Sequence, residues 1–460
     1  MKKTVLSELI RANPWPGFAV ILFLVCFLIS AVVPPFQSPD EWDHLKRAYL
    51  LTRGQIILDA PAGKASGGMI DSGLAAYISL HADYPFNPGK KVSLNESRVA
   101  SSIKWSGKKE FSAAPGTGYY FPVIYAPQAM GLAIGEIFGL SVDTSYRLAR
   151  FCSLLTVSLA LLVSFLVYRP SPLVVSLLLI PMSLFQMAST SLDGISSALS
   201  ILAISLFMKI SGDKERADSR LLFALATCVF LVAASRVHLA PLVGLIFFTH
   251  RQTKPRHSLL AGAAVSLLIL IWVAIALGTT VDTRIVAGLP RSSIIAYYLL
   301  HPFAFIRVVY STLSNPDILS FYQQSFLGIL GWLDARFQNQ FYATLNWLLL
   351  PVALLSISFK ELQHHWRERA ALFLCAMGSV GLIFFALLVT WNPHPAAYIE
   401  GIQGRYFLIP ALLLAYSLKS GPAIESSSYR LAGLVMVVAT GLYSAYGTVS
   451  LLLQRYYVTL

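Results

Sequence analysis

Charge is scarce in this chain. Asp, Glu, Lys and Arg together make up 12% of its 460 residues, about half the usual globular share. That scarcity excludes a soluble enzyme, a disordered chain and a coiled coil, all of which present a polar surface to water. Cysteine is scarce as well. Cys26, Cys152, Cys228 and Cys375 each sit inside an apolar run, which excludes a disulfide framework and any metal-ligand spacing. Acidic residues number 22 against 35 basic ones, a net charge of +13. No P-loop, no Rossmann glycine fingerprint and no Cys/His cluster occurs, and no repeat of about 20–50 residues stands out. Asn95-Glu96-Ser97 is a glycosylation sequon, a tripeptide common by chance.

What fills the chain is apolar. Hydrophobic residues make up 56%, the mean hydropathy is +0.65, and such a chain places most of its surface in lipid. The expected fold is all-α, a polytopic transmembrane helix bundle forming one integral membrane domain over 1–460. A span needs roughly 20 mostly apolar residues. Clear candidates are 17–33, 148–168, 173–190, 194–210, 258–277, 342–358, 371–390, 406–418 and 431–452. The stretch 221–249 is split by Arg236, His238 and Pro241 and reads as two short helices meeting at a polar bend. The N-terminus resembles a signal peptide, with Lys2, Lys3 and Arg11 before an apolar stretch. Pro34-Pro35 follows in place of a small-x-small cleavage site, so the first span is expected to stay.

The segment 121–140 is ambiguous in hydropathy, and the cations decide it. With a cytoplasmic N-terminus and no crossing at 121–140, the short inner segments hold 16 cations. They are Lys2, Lys3, Arg11, Arg169, Lys209, Lys214, Arg216, Arg220, Arg251, Lys254, Arg256, Lys360, Arg367, Arg369, Lys419 and Arg430. The short outer segments hold only Arg236, Arg405 and Arg455. A crossing there would invert every later loop and reverse the bias, against the positive-inside rule. The expectation is therefore about 11 spans, an interfacial helix at 121–140, and two long outer loops, 34–147 and 278–341. The basic excess is read as this membrane orientation, not as nucleic-acid binding.

Polar residues of unusual type then collect on the outer face. After the first span come Ser38-Pro39-Asp40-Glu41-Trp42-Asp43-His44. Ser38, Pro39 and Glu41 fit the N-cap, N1 and N3 positions of a capping box. The same cap would hold Asp40 and Glu41 ionised and oriented, as a general base requires, with His44 one turn on. Asp193 is the only charge between Arg169 and Lys209; it is either a helix cap or a functional group. Arg236, with His238, is either a snorkelling cation or part of a site. In Gly401-Ile402-Gln403-Gly404-Arg405-Tyr406, the glycines would let a ligand approach the backbone. Arg405 suits a lipid phosphate through its bidentate donors, or anchors at the interface beside Tyr406. In Gly328-Ile329-Leu330-Gly331-Trp332-Leu333-Asp334, Trp332 either stacks on a sugar or anchors at the interface.

This ordered set resembles the GT-C superfamily of polytopic glycosyltransferases, whose acidic motif follows the first span. More closely, it is similar to a family of bacterial membrane proteins, of unassigned activity, grouped with those enzymes. The matching features are Pro39-Asp40-Glu41 with His44, Arg47-Ala48-Tyr49 and Gly54, Asp193 after a Pro181-Met182 span, Gly331-Trp332-Leu333-Asp334, and Gln403-Gly404-Arg405-Tyr406. The likeness runs from about 15 to 420.

The resemblance implies a bacterial inner-membrane enzyme with its site facing the periplasm. It would move a sugar from a polyprenyl-phosphate donor to a glycan or lipid-linked acceptor, with inversion. It implies Asp40 as general base, with Glu41 assisting it or capping the helix. Arg405, with Arg236, would meet the departing phosphate. His44 and Asp193 would position the sugars, and Trp332, Asp334, Gln403 and Tyr406 would line the substrate site. Some GT-C members use a divalent metal; Glu41 and Asp43 are the candidate ligands here, and metal stays unassigned. Two other classes compete. A lipid or ion transporter should show repeats and broken helices at the bilayer midplane. A polysaccharide polymerase or ligase would not need the Asp40-Glu41 motif.

Overall fold

Leu, Ile, Val, Phe and Ala runs punctuated by Pro, Gly and Ser set where the helices start and stop. The computed structural model describes residues 13–212, 218–251, 253–284, 289–357, 363, 365–418 and 427–458. Lys2, Lys3, Arg11, Lys214, Arg216, Lys360 and Lys419 lie outside the described residues.

The chain enters through α1 (Trp15–Val32), opened by Pro14 and Pro16, and turns at Pro34-Pro35 into α2 (Glu41–Thr52). The segment before the next long helix continues with β1 (Gly67–Asp71), α3 (Ser72–Leu80), α4 (Leu94–Ser102), β2 (Lys109–Ala113) and α5 (Ala126–Ile137). β1 and β2 pair antiparallel, Gly67 opposite Ala113 and Asp71 opposite Lys109. This small ladder adds strand to an expected all-helical chain. Helix α5 has 12 residues, about 18 Å at 1.5 Å per residue, too short for a hydrocarbon core of roughly 30 Å.

Next come α6 (Val142–Val167), α7 (Pro172–Leu179), α8 (Pro181–Met187), α9 (Asp193–Gly212), α10 (Ser219–Ser235), α11 (Val243–Phe248) and α12 (Pro255–Thr279). The segment after α12 holds α13 (Arg291–Leu300), α14 (Pro302–Leu313) and α15 (Pro316–Gly328), then the two-residue strands β3 (Ile329–Leu330) and β4 (Ala335–Arg336). The chain ends through α16 (Asn339–Leu355), α17 (Trp366–Trp391), α18 (Leu408–Ser417) and α19 (Ser427–Tyr456).

Among the described residues, six helices are long and apolar enough to cross a membrane: α1, α6, α9, α12, α17 and the 431–456 part of α19. Helices α13 and α14 pass the same test only together, and they bend by 97° at their junction. The protein is thus a mostly helical, multi-pass membrane protein. The remaining expected spans fall on shorter pieces. Pro181 splits 173–190 into α7 and α8, and Pro241 separates α10 from α11, because proline lacks the amide that would continue a helix.

Two apolar clusters hold the fold. The larger joins the bundle to α2–α6; the smaller joins α13, α14 and α15 to the last turns of α17, with Tyr298, Tyr322, Phe384 and Leu388 at its centre. The site lies between them.

Candidate functional site

Six helix ends converge on one place. Asp40 follows α1, Asp193 opens α9, Arg236 closes α10, Arg284 follows α12, Trp391 ends α17, and Arg405 precedes α18. They surround a cavity of about 400 Å³, the size of a small-molecule site. Its polar lining includes Asp40, His44, Arg236, Arg284, Arg291 and Gln403. Its apolar lining includes Val273, Ala276 and Leu277 of α12 and Ile383, Ala386 and Leu387 of α17.

Asp40 stands at the rim, with its side chain 43% exposed. Its backbone is left-handed, φ +61°, and its carboxylate makes no cap hydrogen bond. Asp tolerates this region better than most residues, and such strain persists where the surroundings dictate it. Arg284 and Arg405 each place a nitrogen 3.8 Å from the carboxylate, close enough to attract and too far for a hydrogen bond.

Glu41 goes the other way. It is fully buried and is not part of the cavity wall. Its carboxylate accepts from the Thr190 amide at 2.8 Å, Tyr146 Oη at 2.9 Å and the Ser38 amide at 3.1 Å, and it pairs with Arg150 at 3.3 Å. The expected capping box is half formed, because Ser38 Oγ donates to Gln186 instead. Glu41 therefore ties α2 to α6 and to the 188–192 turn. The catalytic role expected of it lacks an open face in this arrangement.

The divalent-metal pair fares likewise. Asp43 is ion-paired with Lys46 at 3.1 Å while Glu41 serves Arg150. Among the described residues, no three acidic, Cys or His groups gather to hold an ion. These donors do not fit a metal.

His44 Nδ1 lies 2.7 Å from Tyr125 Oη. Burial pushes its pKa down to about 4, so the ring is neutral at pH 7. Asp193 pairs with Arg236 and, at 3.5 Å, with Arg405 Nη1. Neither Asp193 nor Arg405 borders the open volume; they back the wall that Arg236, Gln403 and Tyr406 form. Gln403 Oε1 and Arg405 Nε are buried with no hydrogen-bond partner, an acceptor and a donor left over beside the cavity.

The glycines around Arg405 serve packing and not ligand approach. A Cβ on Gly404 would meet the backbone amide nitrogen of Phe326 at 2.1 Å, and one on Gly401 would meet the Trp391 ring at 2.4 Å. Trp332 borders the cavity, stacks near Trp42 with centroids 4.3 Å apart, and donates Nε1–H to Phe36 O at 2.9 Å. Asp334 does not join it. Its carboxylate accepts from Arg455 at 2.7 Å, the Phe86 amide at 3.0 Å and the Trp332 amide at 3.1 Å, so it sets the Trp332 turn and is not a group free to bind substrate. Arg47 is similarly structural, donating to the carbonyls of Gln55 and Ile56 to close the turn after α2.

Sequence reasoning missed Tyr119, Tyr120, Arg284, Arg291 and Trp391. Arg284 is held by Asp282 at 2.8 Å and lies 5.7 Å from the Trp391 ring centre; Arg291 bonds Tyr119 Oη. Both arginines lie in a long segment, where the orientation rule gives charges no weight. The aromatic run Tyr119-Tyr120-Phe121 before Pro122 was the available signal. No curated protein and no solved structure matches the chain. The model of one family does, over residues 22–415, and the chain belongs to that family, described as Predicted membrane protein (DUF2142).

Proposed function

We propose that this protein is a membrane glycosyltransferase. It would move a sugar from a polyprenyl-phosphate donor to a glycan or lipid-linked acceptor at the outer face of a bacterial inner membrane. The observation that carries the reading is Asp40, a half-exposed carboxylate flanked by arginines at the rim of a cavity lined by both polar and apolar side chains. The proposed topology has about eleven crossings, a cytoplasmic N-terminus and the cavity outside, with α7–α8, α10, α11, α16 and α18 completing the spans.

In this mechanism Asp40 takes the proton of the acceptor hydroxyl. The acceptor oxygen attacks the anomeric carbon as its bond to the phosphate oxygen breaks, and the carbon inverts. The leaving group departs as polyprenyl phosphate. Arg236, Arg284 and Arg405 offset its charge, and a guanidinium matches phosphate through two parallel donors. The apolar strip between α12 and α17 takes the first isoprene units. Trp332, Tyr120 and Trp391 offer ring faces to sugars, with His44 and Gln403 as polar partners.

Purified Asp40→Asn protein, assayed for transfer from a polyprenyl-phosphate sugar, tests this. Loss of a general base costs roughly 10²–10⁴-fold in rate, while the protein should keep its melting curve. Near-normal transfer would remove Asp40 from the role. A lipid or polysaccharide transporter is the second reading, favoured by the helix breaks at Pro181 and between α13 and α14. Substrate movement across proteoliposomes without covalent transfer would select it.

A further inference from the structure

A second cavity, of about 230 Å³, lies where α1 ends and α6 begins. The two are separated by the Glu41–Arg150–Tyr146 knot, since Tyr146 and Arg150 border this one. The space far exceeds the roughly 30 Å³ a water occupies in the liquid.

Its lining has mixed charge. Arg147 is 59% exposed and gives only Nε–H to Asp143, at 2.9 Å; its two terminal nitrogens make no hydrogen bond among the described residues. Arg150 adds no free charge, being spent on Glu41 and on the carbonyls of Ser30, Val33 and Pro34. His81 adds none, because burial lowers its pKa and leaves it neutral at pH 7. Two carboxylates share this lining, Asp143 beside Arg147 and Glu96. Asp143 also accepts from Tyr77 Oη at 2.7 Å. Glu96 accepts from Tyr84 at 2.9 Å and pairs with Lys90; burial raises its pKa, but those two hydrogen bonds outweigh it and keep the group ionised.

Part of the lining is apolar and exposed. Phe27 and Phe151 border the cavity, are 47% and 38% exposed, and form with Phe23 a three-ring cluster at 6.1–6.3 Å. Both helices that carry these rings are among the candidate spans. Tyr457 closes the upper edge and donates to Val32 O at 2.9 Å.

A free anion entering here meets two carboxylates, and a free cation meets Arg147. A group carrying both charges a few bonds apart satisfies both. We propose that this cavity binds the headgroup of a zwitterionic phospholipid of the phosphatidylethanolamine type. The phosphate takes the two free donors of Arg147, the ammonium faces Asp143 and Glu96, and the acyl chains run down the Phe23–Phe27–Phe151 surface. The aromatic lining is what selects a lipid over a soluble phosphoethanolamine. The proposal stands independently of glycosyl transfer.

The test is native mass spectrometry of the purified full-length chain after exchange into synthetic phosphatidylethanolamine or phosphatidylglycerol. One phosphatidylethanolamine should be retained about tenfold more strongly than phosphatidylglycerol, a difference of about 1.4 kcal/mol. Arg147→Ala and Ser97→Trp should abolish that preference; Ser97 is exposed and borders the cavity, so the bulk blocks it without touching the core. Arg405→Ala, in the other cavity, should leave it intact. Equal retention of the two lipids, preference for phosphatidylglycerol, or displacement by soluble phosphoethanolamine would each overturn the proposal. So would a preference that survives both Arg147→Ala and Ser97→Trp.

Discussion

Two adjacent carboxylates, Asp40 and Glu41, carry opposite burdens. Asp40 is half exposed and unbonded, whereas Glu41 is buried and saturated. Breaking a buried pair from one side leaves the other charge stranded, at a cost of about 3–5 kcal/mol. Glu41→Gln should therefore lower the melting temperature sharply and take activity with it, while Asp40→Asn should leave the melt unchanged. A paired thermal-shift and transfer assay reads both. The sequence offered the two acids as equals, since a capping-box pattern does not reveal that Arg150 and Thr190, more than a hundred residues on, will claim one of them. His44 gives a pH signature. Its folded pKa of about 4 lies below the usual 6.5, so between those values the unfolded chain binds a proton that the folded chain refuses. Stability from the neutral ring is intact above pH 6.5 and drains away as pH falls toward 4, at up to about 1.4 kcal/mol per unit. The melting temperature of wild type should fall more steeply over that window than that of His44→Gln; parallel slopes would show that Asp40 and Asp193, which favour the charged ring, prevail over burial.

At the scale of elements, the turn before α18 shows how packing sets the site. Gly404 lies against the backbone of α15, with a Cβ position 2.1 Å from Phe326 N and 2.4 Å from Tyr322 O. Neither atom is a flexible side-chain end, so Gly404→Ala must push the 404–407 turn away from α15. That shift moves Arg405 off Asp193. The expected outcome is a destabilised protein whose donor affinity falls along with its stability, measured by a melting curve beside donor titration; an unchanged melt would mean the turn is looser than its contacts imply. The helix menu itself was legible wherever twenty apolar residues ran unbroken, as in α6, α9, α12 and α17. It was legible at 221–249 too, where Arg236, His238 and Pro241 marked the bend between two short helices; it was not legible at 173–190, where Pro181 cuts the run into pieces that only neighbouring helices hold in line. The β1–β2 ladder escaped too, because Gly67 and Ala113 are far apart in sequence and Gly67-Gly68 carries no strand propensity. Likewise α13–α15 sit in a segment rich enough in Tyr, Pro and Arg to read as loop, yet their apolar faces build a second core with α17.

For the whole molecule, the question is which helix ends share a side. A helix reverses the chain's position across a membrane each time it crosses, so six site residues can meet only if an even number of crossings separates those that both follow, or both precede, a span. Asp40, Arg284 and Trp391 each follow a long apolar helix, and Asp193 and Arg405 each precede an apolar one; their convergence fits the alternation inferred from the cation count. The count was legible because it depends only on composition near span ends; the site was not, because pairs such as Asp40 with Arg284 and Asp193 with Arg405 join distant parts of the chain. Lys108 lies next to β2, and Lys254 caps the start of α12. In the proposed topology α12 begins on the cytoplasmic side and ends beside the cavity. Single cysteines at Lys108 and at Lys254, each in a background with the four buried native cysteines, should then react with a membrane-impermeant maleimide from opposite faces of sealed cells. Label reaching Lys108→Cys from outside and Lys254→Cys only after the membrane is opened is the expected pattern. If both react from the same side, α5 or one of the broken helices crosses differently, and the cavity that Asp40 and Arg284 share would face a compartment where the lipid-linked donor must be supplied from the cytoplasm.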